Sequence, residues 1–245
     1  MSVKFTNEKQ FIDWNEEMAH RYDPEAYHLR SNLLIRWIER RRVKAILSFL
    51  SSGPQDVVLE VGCGAGNVLE QIPSQRLNGI DLSASLLKKS QRRLAHCPTS
   101  LAQANGYHLP FANEKFNQLV CTEVLEHVPD SRIVVQEMAR VATKDAVIVI
   151  SVPNELWIDR IKGVIRFLGL GRWLLKGSGD AYNSPDQMTD AWHLHHFDLK
   201  LLQEVTAKVL TINRVKAIPF PFIPLRYVAS CRINPGSLEY QEMGD

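Results

Sequence analysis

The sequence has few cysteines. There are four in 245 residues, Cys63, Cys97, Cys121 and Cys231, and no two stand at Cys-x-x-Cys spacing. That argues against a disulfide framework or a zinc knuckle and fits reduced thiols in a cytosol. Long apolar runs are missing, and none approaches the ~20 residues of a membrane span. The opening residues, Met1-Ser2-Val3-Lys4-Phe5-Thr6-Asn7-Glu8, hold no signal-peptide core. A cytoplasmic protein is expected. An excess of one charge is also missing: 29 Lys plus Arg against 27 Asp plus Glu leave a net +2. This speaks against a nucleic-acid binder working by bulk charge, so nucleic acid is not the expected partner. There is no internal repeat or low-complexity tract. With 45% hydrophobic and 23% charged residues, the composition is that of a folded globular chain.

What is present is an alternation of strand and helix patterns. Residues 1–56 read as a helical cap, in which Leu33, Leu34, Trp37, Ile38, Val43, Ile46, Leu47 and Leu50 recur at helical spacing. The basic run Arg40-Arg41-Arg42 within it reads as a solvated face. Strands are then expected at 57–61, 77–81, 100–104, 116–122 and 146–151, with helices at 85–96, capped by Ser83, and at 131–142. A helix at 199–209 and strands at 210–217 and 227–233 follow. The last two strands, separated by the proline-rich stretch 219–224, leave no room for a crossover helix and should pair antiparallel. The fold class is therefore α/β, a Rossmann-like sheet of seven mostly parallel strands, the last antiparallel, with helices on both faces. Residues 57–151 and 197–233 form the core of a single domain. Residues 152–196 read as a lid insertion after the fifth strand, and residues 234–245 as a tail.

The sharpest signal is Val58-Leu59-Glu60-Val61-Gly62-Cys63-Gly64-Ala65-Gly66-Asn67. A strand runs into three alternate glycines and then toward a helix, a turn that lets a ligand approach the backbone. Asp81 ends the second strand, 19 residues after Gly62, where an acid accepts hydrogen bonds from ribose hydroxyls in nucleotide-binding α/β folds. A dinucleotide fingerprint would need glycine at position 67, which is Asn67.

The Glu-x-Gly-x-Gly-x-Gly spacing resembles motif I of the class I S-adenosylmethionine-dependent methyltransferases. Further stretches carry the resemblance. Asn105-Gly106-Tyr107-His108-Leu109-Pro110-Phe111 is similar to the family's Asp-x-x-x-Leu-Pro-Phe, with Asn for the acid. Phe116-Asn117-Gln118-Leu119-Val120 is similar to its Phe-Asp-x-Val. Glu123-Val124-Leu125-Glu126-His127-Val128-Pro129-Asp130, Glu137-Met138-Ala139-Arg140-Val141 and Ser151-Val152-Pro153-Asn154 complete it. The resemblance spans residues 57–154. It implies S-adenosylmethionine as cofactor, held by Glu60, Gly62, Cys63, Gly64, Asp81, Leu82, Asn105, Gly106, Cys121 and Thr122.

For the acceptor, the resemblance to the ubiquinone-biosynthesis O-methyltransferase branch implies His127 and Glu126 as catalytic residues. Glu123, Glu126 and His127 could ligate a divalent ion, although a site without metal is the expectation. Trp157, His195 and His196 are expected to touch the acceptor. Residues 155–176 mix Trp, Ile, Leu and Phe with Arg and Lys, which suits a lid over an apolar substrate or a peripheral contact with membrane lipid. Trp157, Ile158, Ile161, Ile165 and Leu168 form its apolar stripe, with Asp159, Lys162 and Arg166 opposite. Tyr22, Tyr27 and His28 could add a wall. The expected reaction is methyl transfer to a small apolar or aromatic molecule, at oxygen before carbon. A nucleic-acid methyltransferase and a non-catalytic cofactor-binding partner protein are the alternatives.

Overall fold

The computed structural model describes residues 5–22, 33–50, 53–168 and 192–234. Tyr27, His28 and the 169–191 part of the expected lid lie outside them. So does all but the first residue of the tail. Seven strands form one sheet: β1 (Val57–Val61), β2 (Arg76–Asp81), β3 (Thr99–Gln103), β4 (Phe116–Thr122), β5 (Ala142–Pro153), β6 (Leu210–Phe220) and β7 (Ile223–Ile233). Their order is β3-β2-β1-β4-β5-β7-β6. β1 to β5 pair in parallel, while β7 is antiparallel to β5 and β6.

Alternation along the central strands builds two apolar layers, because successive side chains leave opposite faces of a sheet. Leu59, Val61, Leu119, Cys121, Ile148 and Ile150 enter one layer. Val58, Val120, Val147 and Val149 enter the other. The first layer is covered by Phe11 of α1 (Glu8–Tyr22), by Val134, Val135 and Met138 of α4 (Ser131–Val141), and by Leu202 and Val205 of α6 (Leu199–Thr206). The second is covered by Ile38, Val43 and Ile46 of α2 (Leu33–Leu47) and by Leu69 of a short 3₁₀ turn. α3 (Ala84–Arg93) and α5 (Glu155–Phe167) complete the described helices. Among the described residues no helix is long and apolar enough to cross a membrane.

Ser83 caps α3 as expected, its Oγ accepting from the Leu86 N–H at 3.1 Å. Two expectations fail. The proline-rich 219–224 stretch is a tight hairpin in which Phe220 pairs Ile223, so both strands continue almost to the turn. Pro219 is tolerated because β6 is the outermost strand, where a missing N–H breaks little. The basic run on α2 is not uniformly solvated either: Arg42 is 5% exposed and turned inward. Chain order reverses between β1 and β4, so their carboxyl ends open a crevice at a topological switch point.

Candidate active site

The turn after β1 is built on positive backbone angles, with φ of 70° at Gly62, 51° at Gly64 and 78° at Gly66. L side chains avoid that region, which is why glycine is needed here. A Cβ on Gly62 would strike Val124, whereas one on Gly64 would meet nothing within 4 Å. Gly64 therefore faces open space. Its N–H donates to Asp81 Oδ2 at 2.7 Å, and the Ser83 N–H donates to Asp81 Oδ1 at 2.8 Å. Burial pushes the Asp81 carboxyl up to about 6, against the pull of those two N–H groups.

A cavity of about 690 Å³ lies over these carboxyl ends. Glu60, Gly62, Cys63, Gly64, Asp81 and Leu82 line it from β1, its turn and β2. Asn105, Gly106 and Thr122 line it from the segments after β3 and β4. Asn105 is held by a bond from its Nδ2 to Glu8 Oε1 at 2.8 Å, while its Oδ1 accepts from the Tyr107 N–H. α1 thus docks on the rim. The Glu60 carboxyl is buried and raised to about 8, chiefly by that burial and against the attraction of Arg42. Glu60 Oε2 and Arg42 Nη1 are both buried without a hydrogen-bond partner.

Arg42 begins a chain of ion pairs along one wall, buried at Arg42 and Glu39 and half-buried at Arg226 and Glu123. Its Nε donates to Glu39 Oε2 at 2.9 Å, and Glu39 Oε1 lies 3.4 Å from Arg226 Nη2. Arg226 Nε donates to Glu123 Oε2 at 2.9 Å, and Ser151 Oγ donates to Glu123 Oε1 at 2.6 Å. Burial alone would raise the Glu123 carboxyl, but Arg226 and Arg42 outweigh it and hold it below the usual range.

At the other end, Glu126 is fully buried, and neither carboxylate oxygen has a hydrogen-bond partner. Burial, then the charge of Glu123, pushes its carboxyl up to about 8, with His193 pulling the other way. His127 Nε2 stands 4.0 Å from Glu126 Oε1, and its Nδ1 is 3.1 Å from the Trp192 carbonyl. The His127 ring packs against Trp192 and His193, with centroids 4.6 and 4.9 Å away. Glu155 bridges two imidazoles: His193 Nδ1 lies 2.5 Å from its Oε1, and His196 contacts its Oε2. The Glu126 carbonyl accepts from the Leu194 N–H at 2.7 Å, which laces residues 192–197 to the loop after β4.

Several expectations need correcting. The trio Glu123, Glu126 and His127 is not assembled, because Glu123 is held by Arg226 and Ser151. The ligand atoms that do converge, within 4.8 Å of one another, belong to Glu126, His127 and His193. Cys121 does not line the cavity; its side chain is fully buried in the sheet core, with the backbone paired to Val61 and Ile150. His195 turns away, its Nε2 lying 3.0 Å from the Val128 and Pro129 carbonyls. Trp157 stands outside the cavity, with Arg160 over its ring at 5.6 Å. Ile158, Ile161 and Ile165 of α5 do line it, but so do Asp159 and Lys162, expected on the far side. Leu168 is exposed. His196 and Tyr22 line the cavity.

The sequence reading missed Glu39, Arg42, Arg226, Glu155 and the placement of His193. One signal was available: Glu39 and Arg42 fall inside the apolar stripe Ile35, Ile38, Val43 and Ile46, so an acid and a base three residues apart share the buried face. His193 and Glu155 are 38 residues apart and carry no such mark.

Residues 59–150 match the family model described as a methyltransferase domain. The ubiquinone biosynthesis O-methyltransferase of Thiobacillus denitrificans is 35% identical over 135 residues, 51% of this chain and 54% of that protein. The chain spans little more than half the length of the curated relatives it matches. The magnesium protoporphyrin IX methyltransferase from Synechocystis, solved with bound SAH, shares the fold. Its TM-score is 0.64 at 16% identity, covering 93% of this chain and 100% of that one. The N-methyltransferase NodS from Bradyrhizobium japonicum, in complex with S-adenosyl-L-homocysteine, gives a TM-score of 0.62 at 18% identity, covering 89% and 97%.

Proposed function

Because this chain belongs to the class I S-adenosylmethionine-dependent methyltransferases, we propose that it methylates a small apolar or aromatic acceptor, at oxygen before carbon. The observation that carries this reading is a pair of buried atoms beside the cavity without hydrogen-bond partners, Glu60 Oε2 of β1 and Arg42 Nη1 of α2. Buried polar groups are rarely left unmatched. The amino-acid end of the cofactor has one ammonium and one carboxylate, and these two groups suit them. Open space at Gly64 leaves room beside the turn. Asp81 spends one lone pair per oxygen on the backbone and retains capacity for two ribose hydroxyls. Leu82 and Asn105 suit the adenine, whose amino group the Asn105 oxygen can accept.

When bound, S-adenosylmethionine supplies a methyl group made electrophilic by its sulfonium. The chain's part is then to align the acceptor, exclude water and remove a proton where the acceptor is a hydroxyl. Ile158, Ile161 and Ile165 cover an apolar acceptor, and Ile35 and Ile38 meet it from α2. Glu126 takes the proton, with His127 beside it. His193, fixed by Glu155, holds the imidazole pair in place.

Calorimetric titration with S-adenosylmethionine, followed by transfer of labelled methyl to a lipid-soluble and a water-soluble extract, tests the proposal. Saturable binding and label in an apolar product are expected. Absence of binding, unaltered by Asp81→Ala, would overturn it. Binding without product from either extract would leave a non-catalytic partner protein.

A further inference from the structure

α2 has two working faces. Ile35, Ile38, Glu39 and Arg42 point into the cavity. The opposite face exposes Leu33 (81%), Leu34 (56%) and Trp37 (37%) together with Arg36, Arg40, Arg41 and Lys44. The one acid of the helix, Glu39, is buried in the ion chain. An ordinary solvated face would not hold three large apolar side chains in water, nor lack acids altogether.

The patch continues beyond the helix. Trp37 packs on Phe220 with ring centroids 5.6 Å apart, and Phe220 stacks on Phe222 at 5.1 Å. Phe222 is 68% exposed at the tip of the β6–β7 hairpin. Arg41 lies over both Trp37 and Phe220, at 5.1 and 5.3 Å. Along β6, Arg214 and Lys216 are exposed, and residues 210–226 contain no Asp or Glu.

We propose that this outward face of α2 and the hairpin tip form a docking surface for an anionic lipid bilayer. The amphipathic aromatic rings suit the boundary between headgroups and acyl chains, and the aliphatic side chains suit the acyl region below it. The arginines and lysines meet anionic headgroups. A second copy of the chain is a poor occupant, since a symmetric contact would set cation against cation. A nucleic acid would engage the cations but leave Leu33, Leu34 and Phe222 in water. The surface is separate in sequence from residues 155–176, where lipid contact was expected. It turns one helix into both a wall of the cavity and a lipid contact, and it stands whether or not the methyl-transfer reading holds.

The test is co-sedimentation of the full chain with vesicles of phosphatidylcholine alone or phosphatidylcholine with phosphatidylglycerol. Binding is expected only with phosphatidylglycerol, and it should weaken as salt rises. Trp37→Glu with Phe222→Glu, and separately Arg40→Glu with Arg41→Glu, should each lower it at least about tenfold. Both pairs should stay folded with a cooperative melt, lowered by no more than a few degrees for the lost ring contacts of Trp37 and Arg41. Vesicles with brominated acyl chains should quench tryptophan fluorescence, and Trp37→Phe should reduce the quench. Failure to bind phosphatidylglycerol vesicles would overturn the proposal, as would binding that ignores both substitution pairs. So would a dimer that the same substitutions dissociate, or tighter binding to duplex RNA than to vesicles.

Discussion

The Gly64 N–H donates to Asp81 Oδ2 at 2.7 Å. The glycine-rich turn after β1 and the acid that ends β2 are thus one hydrogen-bonded unit, joined across 17 residues of sequence. Any change to Asp81 acts twice, on the shape of the turn and on the acceptor atoms it offers a ligand.

Asp81→Ala should weaken S-adenosylmethionine binding on the order of 100-fold or more, since hydrogen bonds to a charged group are each worth ~1.5–3 kcal/mol. Asp81→Asn should recover little, because one amide oxygen cannot serve both N–H donors and a ligand. Titration calorimetry on the two variants measures both effects.

Gly62→Ala and Gly64→Ala should separate stability from binding. Both pay roughly 1–2 kcal/mol for a left-handed alanine. Gly62→Ala also forces a methyl against Val124, a collision worth about 1–3 kcal/mol more. Gly64→Ala meets no protein atom but puts its methyl beside the ligand space. Thermal melts should therefore show the larger loss for Gly62→Ala. Gly64→Ala should melt a few degrees below the parent chain, from the backbone cost alone, and lose cofactor affinity.

Breaking the ion chain should be costly. Arg226→Met leaves the Glu123 carboxylate, whose side chain is 22% exposed, without its guanidinium, and losing that charged hydrogen bond should cost about 1.5–3 kcal/mol. Adding Glu123→Gln removes the stranded charge and should recover part of the loss. Denaturant unfolding of the single and double variants measures the coupling.

The ligand-free chain should lose stability as pH rises. Asp81 is raised to about 6, and Glu60 and Glu126 to about 8, from ordinary values of 3.8 and 4.5. Between those limits the folded state holds protons that the unfolded state has released. Unfolding therefore releases protons, and stability falls from about pH 4 to about pH 8. Glu126→Gln should flatten that slope in melts taken across the range.

Glu126→Gln also tests the proton-transfer role. The parent rate should climb with pH toward about 8 as the Glu126 carboxyl ionises. The variant should lose that limb and about 10²–10⁴-fold in kcat, with cofactor affinity unchanged. Activity should survive EDTA, because Glu123 is committed to Arg226. A loss restored by Mg²⁺ or Zn²⁺ would instead place an ion among Glu126, His127 and His193.

Much of this was legible from residues. Val57–Val61, the glycines after it and Asp81 are local signals, since strand periodicity and turn chemistry depend on near neighbours. So is Ser83, whose cap reaches only three residues on. The antiparallel last strand followed from a connection too short for a helix. Arg42, Arg226 and His193 were not legible in this way. A charged side chain in a helix reads as solvated until its neighbours are known, and Arg226 gains its role only from Glu39 and Glu123, carried by distant elements.

The sequence by itself determined the succession of strands and helices along the chain, the glycine-rich turn after β1 and the place of Asp81 at the end of β2, because each rests on periodicity and turn chemistry over a few residues. Tertiary structure alone decided which charges are buried together and which face of each helix meets the cavity. It set Glu123 apart from Glu126 and His127 and gave it to Arg226, and it turned His195 and Trp157 away while bringing His193 in. The physical reason is that burial and partnership are properties of the assembled layers. A carboxylate becomes an anion, an acid or a ligand according to what the rest of the chain packs against it.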